Sequence, residues 1–235
     1  MSTQNQAYQY YLLPSANPPL HLVGRHNQIY KFWKDSWLEV LQQLNADASQ
    51  LEDDFLRQDF VAAICSDTEV IAVHLYSIFA LDTDASLEHR YLKGNYPPEF
   101  FANLKSKEVR TVMSMEYLTV SQNWRKSRGA MHMGAVIGAL GLKVMQHYGI
   151  DAVIAPARRD HKVNLMAYSQ GGDCIVENVL NHKVPCDLIA IRRNRIKEPA
   201  LELVLLRDQL WQERIHVDAT GVVHNPSARI LKLAA

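Results

Sequence analysis

The sequence predicts an α/β fold, and three observations carry the prediction. Residues 113–120 alternate apolar and β-branched side chains with small or polar ones, which is the period of a strand. Residues 130–148 follow as a long apolar run of helical character. Residues 151–155, DAVIA, then form a short buried strand, and the right-handed strand, helix, strand rule makes it parallel to the first.

The joint between that strand and that helix is a natural anion site. Unpaired N–H groups of the first helical turn, the positive end of the helix dipole and the side chains of Arg125, Lys126 and Arg128 converge there, so a phosphate-bearing ligand is expected. The helix carries Gly134, Gly138 and Gly141, each costing about 1 kcal/mol relative to alanine. Either the helix lies tightly on the sheet, or the closeness leaves room for an extended ligand beside the strand. His132 and Lys143 interrupt the apolar run well short of the ~20 residues a membrane span needs, so no span is expected.

The remaining elements follow in order. Residues 1–28, polar and then rich in proline and tyrosine, read as an extended arm ahead of a single domain over 29–235. Ile29, Phe32, Trp33, Trp37, Val40, Leu41 and Leu44 have the spacing of an amphipathic helix, and Trp33 and Trp37 share a face that could wall an apolar tunnel. A short helix is expected over 49–57, with Ser49 as cap and an acidic first turn that needs no function. Residues 60–65 and 70–79 flank a polar turn as a hairpin, with His74 an ordinary strand histidine.

From 81 to 109 periodicity is lost and Gly94, Pro97 and Pro98 break the chain. So long a connection reads as an insert that walls the acceptor site or as an inert excursion, with Arg90, Tyr91, Phe100 and Phe101 the side chains of interest. After the parallel strand come a helix over 158–169, strands over 174–179 and 184–191, and an amphipathic helix over about 199–214.

The chain has 235 residues and 48% apolar content, enough for a substantial core. Its 25 basic and 25 acidic residues cancel, which argues against a chain-wide nucleic-acid surface, and no nucleic-acid partner is expected. Cys65, Cys174 and Cys186 show no metal or disulfide spacing, no metal site is expected, and the N-terminus lacks a secretory pattern, so a reducing cytoplasm is the expected home. Zinc-protease, serine-hydrolase, Walker A and dinucleotide motifs are absent.

The turn reads R-K-S-R-G-A over Arg125, Lys126, Ser127, Arg128, Gly129 and Ala130. It resembles the Q/R-x-x-G-x-G/A pyrophosphate turn of the GNAT acyltransferase superfamily, with Arg128 where the first glycine stands. Tyr168, four residues before Gly172, resembles that family's second signature. The long insert and aromatic first helix are similar to the long-chain N-acyl amino acid synthase and acyl-homoserine lactone synthase branch.

The resemblance implies a GNAT-like fold: a central mixed, mostly antiparallel sheet flanked by helices, with a long insert before the central strand. It implies an N-acyltransferase that moves an acyl group from a thioester to the amine of a small acceptor such as an amino acid. The donor would be acyl-CoA or the phosphopantetheine of acyl carrier protein, a co-substrate and not a permanently bound cofactor. Backbone groups near Leu118 and Val120 would hold the pantetheine arm, and Tyr168 would protonate the leaving thiol. Glu116, on the strand leading to the turn, is the best-placed carboxylate for the base. Basic clusters at 125–128, 158–162 and 192–197 could meet an acidic carrier protein. The competing reading is a GNAT-like module that binds an acyl chain or coenzyme A without turnover.

Overall fold

A computed structural model describes residues 8–49, 51–125, 132–217 and 223–224. Strand β1 (Gln9–Pro14) leads into helix α1 (Val23–Gln43) and the short α2 (Leu51–Leu56). The hairpin β2 (Phe60–Cys65) and β3 (Val70–Ala80) follows. Three short helices, α3 (Asp84–Leu87), α4 (Arg90–Asn95) and α5 (Pro98–Lys105), precede β4 (Thr111–Val120) and α6 (Gln122–Arg125). Then come α7 (Met133–His147), β5 (Ala152–Arg158), α8 (Val163–Ser169), β6 (Asp173–Asn181) and β7 (Val184–Arg192). Helix α9 (Leu201–Gln212) and the short β8 (Ile215–Val217) and β9 (Val223–His224) end the described chain.

The strands form one sheet in the order β6-β7-β5-β4-β3-β2-β1-β8-β9, antiparallel except where β4 meets β5 and β1 meets β8. The expected mixed, mostly antiparallel sheet is therefore present, with β4 and β5 parallel. Strand β2 explains why its sequence is apolar at every position. Phe60, Ala62 and Ile64 face the core under α7, while Val61, Ala63 and Cys65 face the core under α1 and α2. A third cluster, with Tyr91, Phe100 and Phe101, fastens α4 and α5 to the sheet. Among the described residues no helix is long and apolar enough to cross a membrane.

Several expected boundaries differ. The arm expected over 1–28 is, from Gln9 to Pro14, a sheet strand paired with β2 and β8, and the helix begins at Val23 instead of Ile29. Prolines there end the strand and shape the connection, since proline is tolerated at strand ends. The region 81–109 holds α3, α4 and α5. Helices this short cannot show a periodic stripe, but their caps are local: Thr83 accepts from Ser86 N–H, His89 from Tyr91 N–H, and Pro98 begins α5. The helix expected from 158 starts at Val163, after Lys162 adopts a left-handed φ of 57°, and Arg158 belongs to β5. Strands β8 and β9 had no counterpart in the sequence reading.

Candidate active site

The site begins where β4 and β5 part. They pair only at Val112, Met113 and Ser114 with Ala152, Val153 and Ile154. Beyond Ile154, β5 continues beside β7 up to the pairing of Arg158 with Cys186. On its other side β4 is irregular: Val73 pairs with Thr119 and Leu75 with Glu116, so the single residue His74 faces two, Tyr117 and Leu118. That is a β-bulge, and Tyr117 takes the extra turn with φ 57°, a conformation that costs a non-glycine residue about 1–3 kcal/mol.

The bulge turns successive side chains to the same face. Tyr117 packs with Trp33 and Trp37 of α1, and Glu116 reaches α2, while Met115 and Leu118 stay with the core beneath α7. Between the diverging strands lies a cavity of about 580 Å³ that reaches from Gly138 and Met166 to Trp37 and Tyr91. Glu116, Leu118, Pro156 and His74 are in its walls.

At one end the walls are charged. Arg57 Nη1 donates to Glu116 Oε1 at 3.2 Å and Nη2 donates to Oε2, while Ser114 Oγ donates to Oε1 at 2.6 Å and Gln58 Nε2 to Oε2 at 3.3 Å. These four donors meet all the lone-pair directions of a carboxylate. Burial raises the Glu116 pKa above the ordinary carboxylate value, opposed chiefly by Arg57. Arg57 Nε also donates to Asp54 Oδ1 at 3.0 Å, and Arg90 Nη2 donates to the same oxygen at 2.9 Å. Tyr117 Oη donates to Asp54 Oδ2 at 2.6 Å, and the Arg57 guanidinium lies 4.7 Å from the Tyr91 ring centre. Two carboxylates and two guanidinium groups thus balance beside the cavity, which lets buried charge persist.

The other end, toward α7, is mostly apolar, with His74 and Gln170 its polar side chains. The His74 ring is buried, its Nδ1 has no hydrogen-bond partner among the described residues, and burial pushes its pKa down to about 3, so it is neutral. The α7 glycines divide in their roles. A Cβ at Gly141 would stand 2.6 Å from Met115 Cε and 2.9 Å from Tyr76 Oη, so this position allows close packing of helix on sheet. At Gly138, which lines the cavity, the nearest atoms would be 3.7 Å away.

The sequence-derived site residues separate. Glu116 and Leu118 line the cavity. Val120, at the end of β4, accepts from Arg125 Nε at 2.6 Å, and Arg125 is exposed in α6. Lys126, Ser127, Arg128, Gly129 and Ala130 lie outside the described residues. Tyr168 is not in the cavity wall; its hydroxyl donates to Asp187 Oδ2 at 2.6 Å.

Asp187 is buried and also accepts from Arg159, Asn164 and the Asn178 N–H. Of the basic clusters, Arg158 pairs with Asp160, Arg159 with Asp187, Arg192 with Asp173 and Arg193 with Asp151. Sequence reading passed over Arg57 and Tyr117, took His74 for an ordinary strand histidine, and treated Asp54 as part of an acidic run that needs no function. Only the three-residue spacing of Asp54 and Arg57, typical of a helical ion pair, hinted at part of the network.

No family model matches the sequence, and no curated protein sequence matches it. Solved structures do match in fold. FeeM, an N-acyl amino acid synthase from uncultured soil microbes, aligns with a TM-score of 0.54 at 9% identity over 82% of this chain and 94% of its own. BjaI, a CoA-dependent acyl-homoserine lactone synthase solved with SAM and isopentyl-CoA, gives 0.56 at 13% identity over 96% and 100%. The AHL synthase LasI gives 0.52 at 10% identity over 80% and 91%. At such identities the likeness is one of fold, and the chain has the GNAT-like fold of these acyltransferases.

Proposed function

We propose that the protein is an N-acyltransferase that moves an acyl group, long in chain, from a thioester on coenzyme A or acyl carrier protein to the amine of a small acceptor such as an amino acid. The observation that carries this reading is the cavity between β4 and β5, apolar toward α7 and charged toward α2. A thioester arm laid along the parted edge of β4 would find backbone groups near Leu118 that have no ladder partner on β5, and the irregular ladder at Tyr117 supports a carbonyl oxygen being met there by a backbone N–H. The acyl chain would fill the apolar half, recovering about 0.8 kcal/mol for each methylene buried. The acceptor would enter from the side of Asp54, Arg90 and Tyr91.

The chemistry is attack of a neutral amine on the thioester carbonyl, followed by departure of the thiolate. Glu116 is the residue we assign to the amine proton, through a water that displaces Gln58, the longest of its four bonds at 3.3 Å. Tyr168 we assign to bracing α8 on β7 through Asp187, since its hydroxyl would have to leave that carboxylate to reach the cavity. Its reading as the thiol-protonating acid is the alternative. The basic turn, with Arg125 at its start, would meet the donor's phosphates.

One observation favours the second reading, a domain that holds the thioester without turnover: all of Glu116's lone pairs are already engaged. Release of free thiol with an amine library separates the two. The substrate test is kcat/KM against acyl length from acetyl to palmitoyl, on coenzyme A and on carrier protein, at low and high salt. A rise toward long chains is expected, with salt sensitivity if a carrier docks on the basic clusters. A peak at acetyl-CoA would overturn the long-chain reading.

A further inference from the structure

Gln170 closes α8 and is buried in the wall of the cavity. Its main chain is pinned. The N–H donates to Met166 and Ala167, the carbonyl accepts from the Lys197 N–H at 3.0 Å, and a Cβ on the next residue, Gly171, would stand 2.0 Å from Arg195 O. The carboxamide lies against Gly138 of α7, where a Cβ would be 3.7 Å from both Nε2 and Oε1, and Gly138 is itself in the cavity wall. The bare backbone at Gly138 thus leaves the space in front of the carboxamide open to the cavity. Helix α7 passes along β4 in the opposite direction, Gly134 near Val120 and Gly141 near Met115, so Gly138 and the head of Gln170 stand level with the bulge at Tyr117 and Leu118.

The hydrogen bonding of this carboxamide is incomplete. Nε2 donates to Ala135 O at 3.5 Å, the outer limit of a hydrogen bond. That contact fixes which way the amide is turned, because a carbonyl can only accept and Nε2 must face it. Oε1 has no partner among the described residues, and it is not one of the polar atoms sealed from the surface, so a molecule in the cavity can reach it. A buried carboxamide held by one long bond is costly unless something else meets it.

The missing partner must itself donate. A plain alkyl chain, a keto oxygen or a carboxylate offers Oε1 nothing, whereas an uncharged N–H or O–H does. On the reading under Proposed function the donor's arm lies along β4 at the bulge, and two such groups come near the thioester: the amide N–H of the pantetheine arm, and the hydroxyl of an acyl chain that carries one. We propose that Gln170 is a binding residue for the donor, its Oε1 accepting a hydrogen bond from an uncharged N–H or O–H beside the thioester. The inference rests on the thioester reading and gives a role to a residue that the sequence pattern left without one.

The test measures binding of three non-transferable probes to wild type, Gln170→Leu and Gln170→Glu. The probes are the dodecyl thioether of phosphopantetheine, its analogue with an ester oxygen in place of the cysteamine N–H, and the 3-hydroxydodecyl thioether. With the arm's amide as partner, wild type binds the dodecyl probe about five- to tenfold more tightly than the ester analogue, the size of one net hydrogen bond. With the acyl hydroxyl as partner, the 3-hydroxydodecyl probe gains about the same factor over the dodecyl one. In either case Gln170→Leu should lose the preference, and Gln170→Glu, which keeps an acceptor oxygen, should recover part of it. A merely structural role would weaken all three probes alike.

Should the variants fail to fold, the carboxamide ¹³C signal of wild-type Gln170 gives the answer without mutation. It should shift with the probe that carries the partner group and stay put with the probe that lacks it. Equal affinity of wild type for all three probes, a preference that survives in Gln170→Leu, or an unmoved carboxamide signal overturns the role of Gln170 and leaves the donor reading standing, with water serving Oε1. Failure of wild type to bind any of the probes, as phosphopantetheine or as coenzyme A thioethers, overturns the donor reading and this inference with it.

Discussion

Arg57 and Glu116 meet as a two-pronged ion pair across the face of the sheet, with side chains only 14% and 2% exposed. The pair joins the turn after α2 to β4 at the wall of the cavity, so it is both a support and a source of charge at the site. Removing one partner leaves the other buried and unbalanced, which costs about 3–5 kcal/mol. Arg57→Met should therefore lose about that much in urea unfolding, and Arg57→Met with Glu116→Gln should be more stable than Arg57→Met alone. A single mutant as stable as wild type would mean that the pair is solvated.

Glu116→Gln alone tests the chemistry, because Arg57 keeps Asp54 as a counter-charge. It keeps the shape and the Ser114 contact while removing the charge. Turnover should fall by about 10²-fold or more, with the low-pH limb of the rate profile lost and donor KM nearly unchanged. A wild-type rate would assign Glu116 to structure only.

Gly138 and Gly141 are one helical turn apart and should respond in opposite senses. Gly141→Ala drives a Cβ into the buried Tyr76 hydroxyl and Met115, for a loss of about 1–3 kcal/mol. Gly138→Ala has ordinary contacts at 3.7 Å and should gain up to about 1 kcal/mol from helix propensity. Gly138→Leu, which would project into the cavity, should shift the preferred acyl length downward. Thermal melts and the acyl-length series check all three.

Asp187 links Tyr168, Asn164 and Arg159. Burial acts to raise its pKa, but the bonds from Tyr168, the Asn178 N–H, Asn164 and Arg159 prevail and hold it below the ordinary 3.8. Its contribution is therefore complete above that value and lost as pH falls through the lowered folded value. Asp187→Asn should be about 2–3 kcal/mol less stable at neutral pH, with the deficit shrinking in acid. Tyr168→Phe should lose about 1 kcal/mol and keep kcat within about tenfold. A larger fall in kcat at constant donor KM would return Tyr168 to the acid role.

Arg125 and Arg128 test the phosphate reading. Both are replaced by alanine, and the donor's apparent KM should rise with little change in melting temperature, since Arg125 is exposed and such charges contribute little to folding. Unchanged donor kinetics in the folded double mutant would remove the turn from the site.

The sequence by itself determined the parts that depend on local period and local chemistry. The alternation over β4, the apolar run of α7 and the right-handed crossover were enough to place β4 beside β5 in parallel and to point to the joint between them. It also named two residues that line the cavity, Glu116 from its place on that strand and Leu118 through the family resemblance.

Tertiary structure alone decided the rest. Strand β1 is held by its pairing with β2 and β8, contacts remote in sequence, so its proline-flanked run resembled an arm. Helices α3, α4 and α5 are too short to display a period. The bulge at Tyr117 exists only in the register between β3 and β4, and a register is a relation between two strands that neither sequence states. That one-residue slip puts Tyr117 on the same face as Glu116 and sets His74 opposite the bulge. Charge balance and an orphan nitrogen are properties of a neighbourhood, which the folded chain assembles from residues far apart along it.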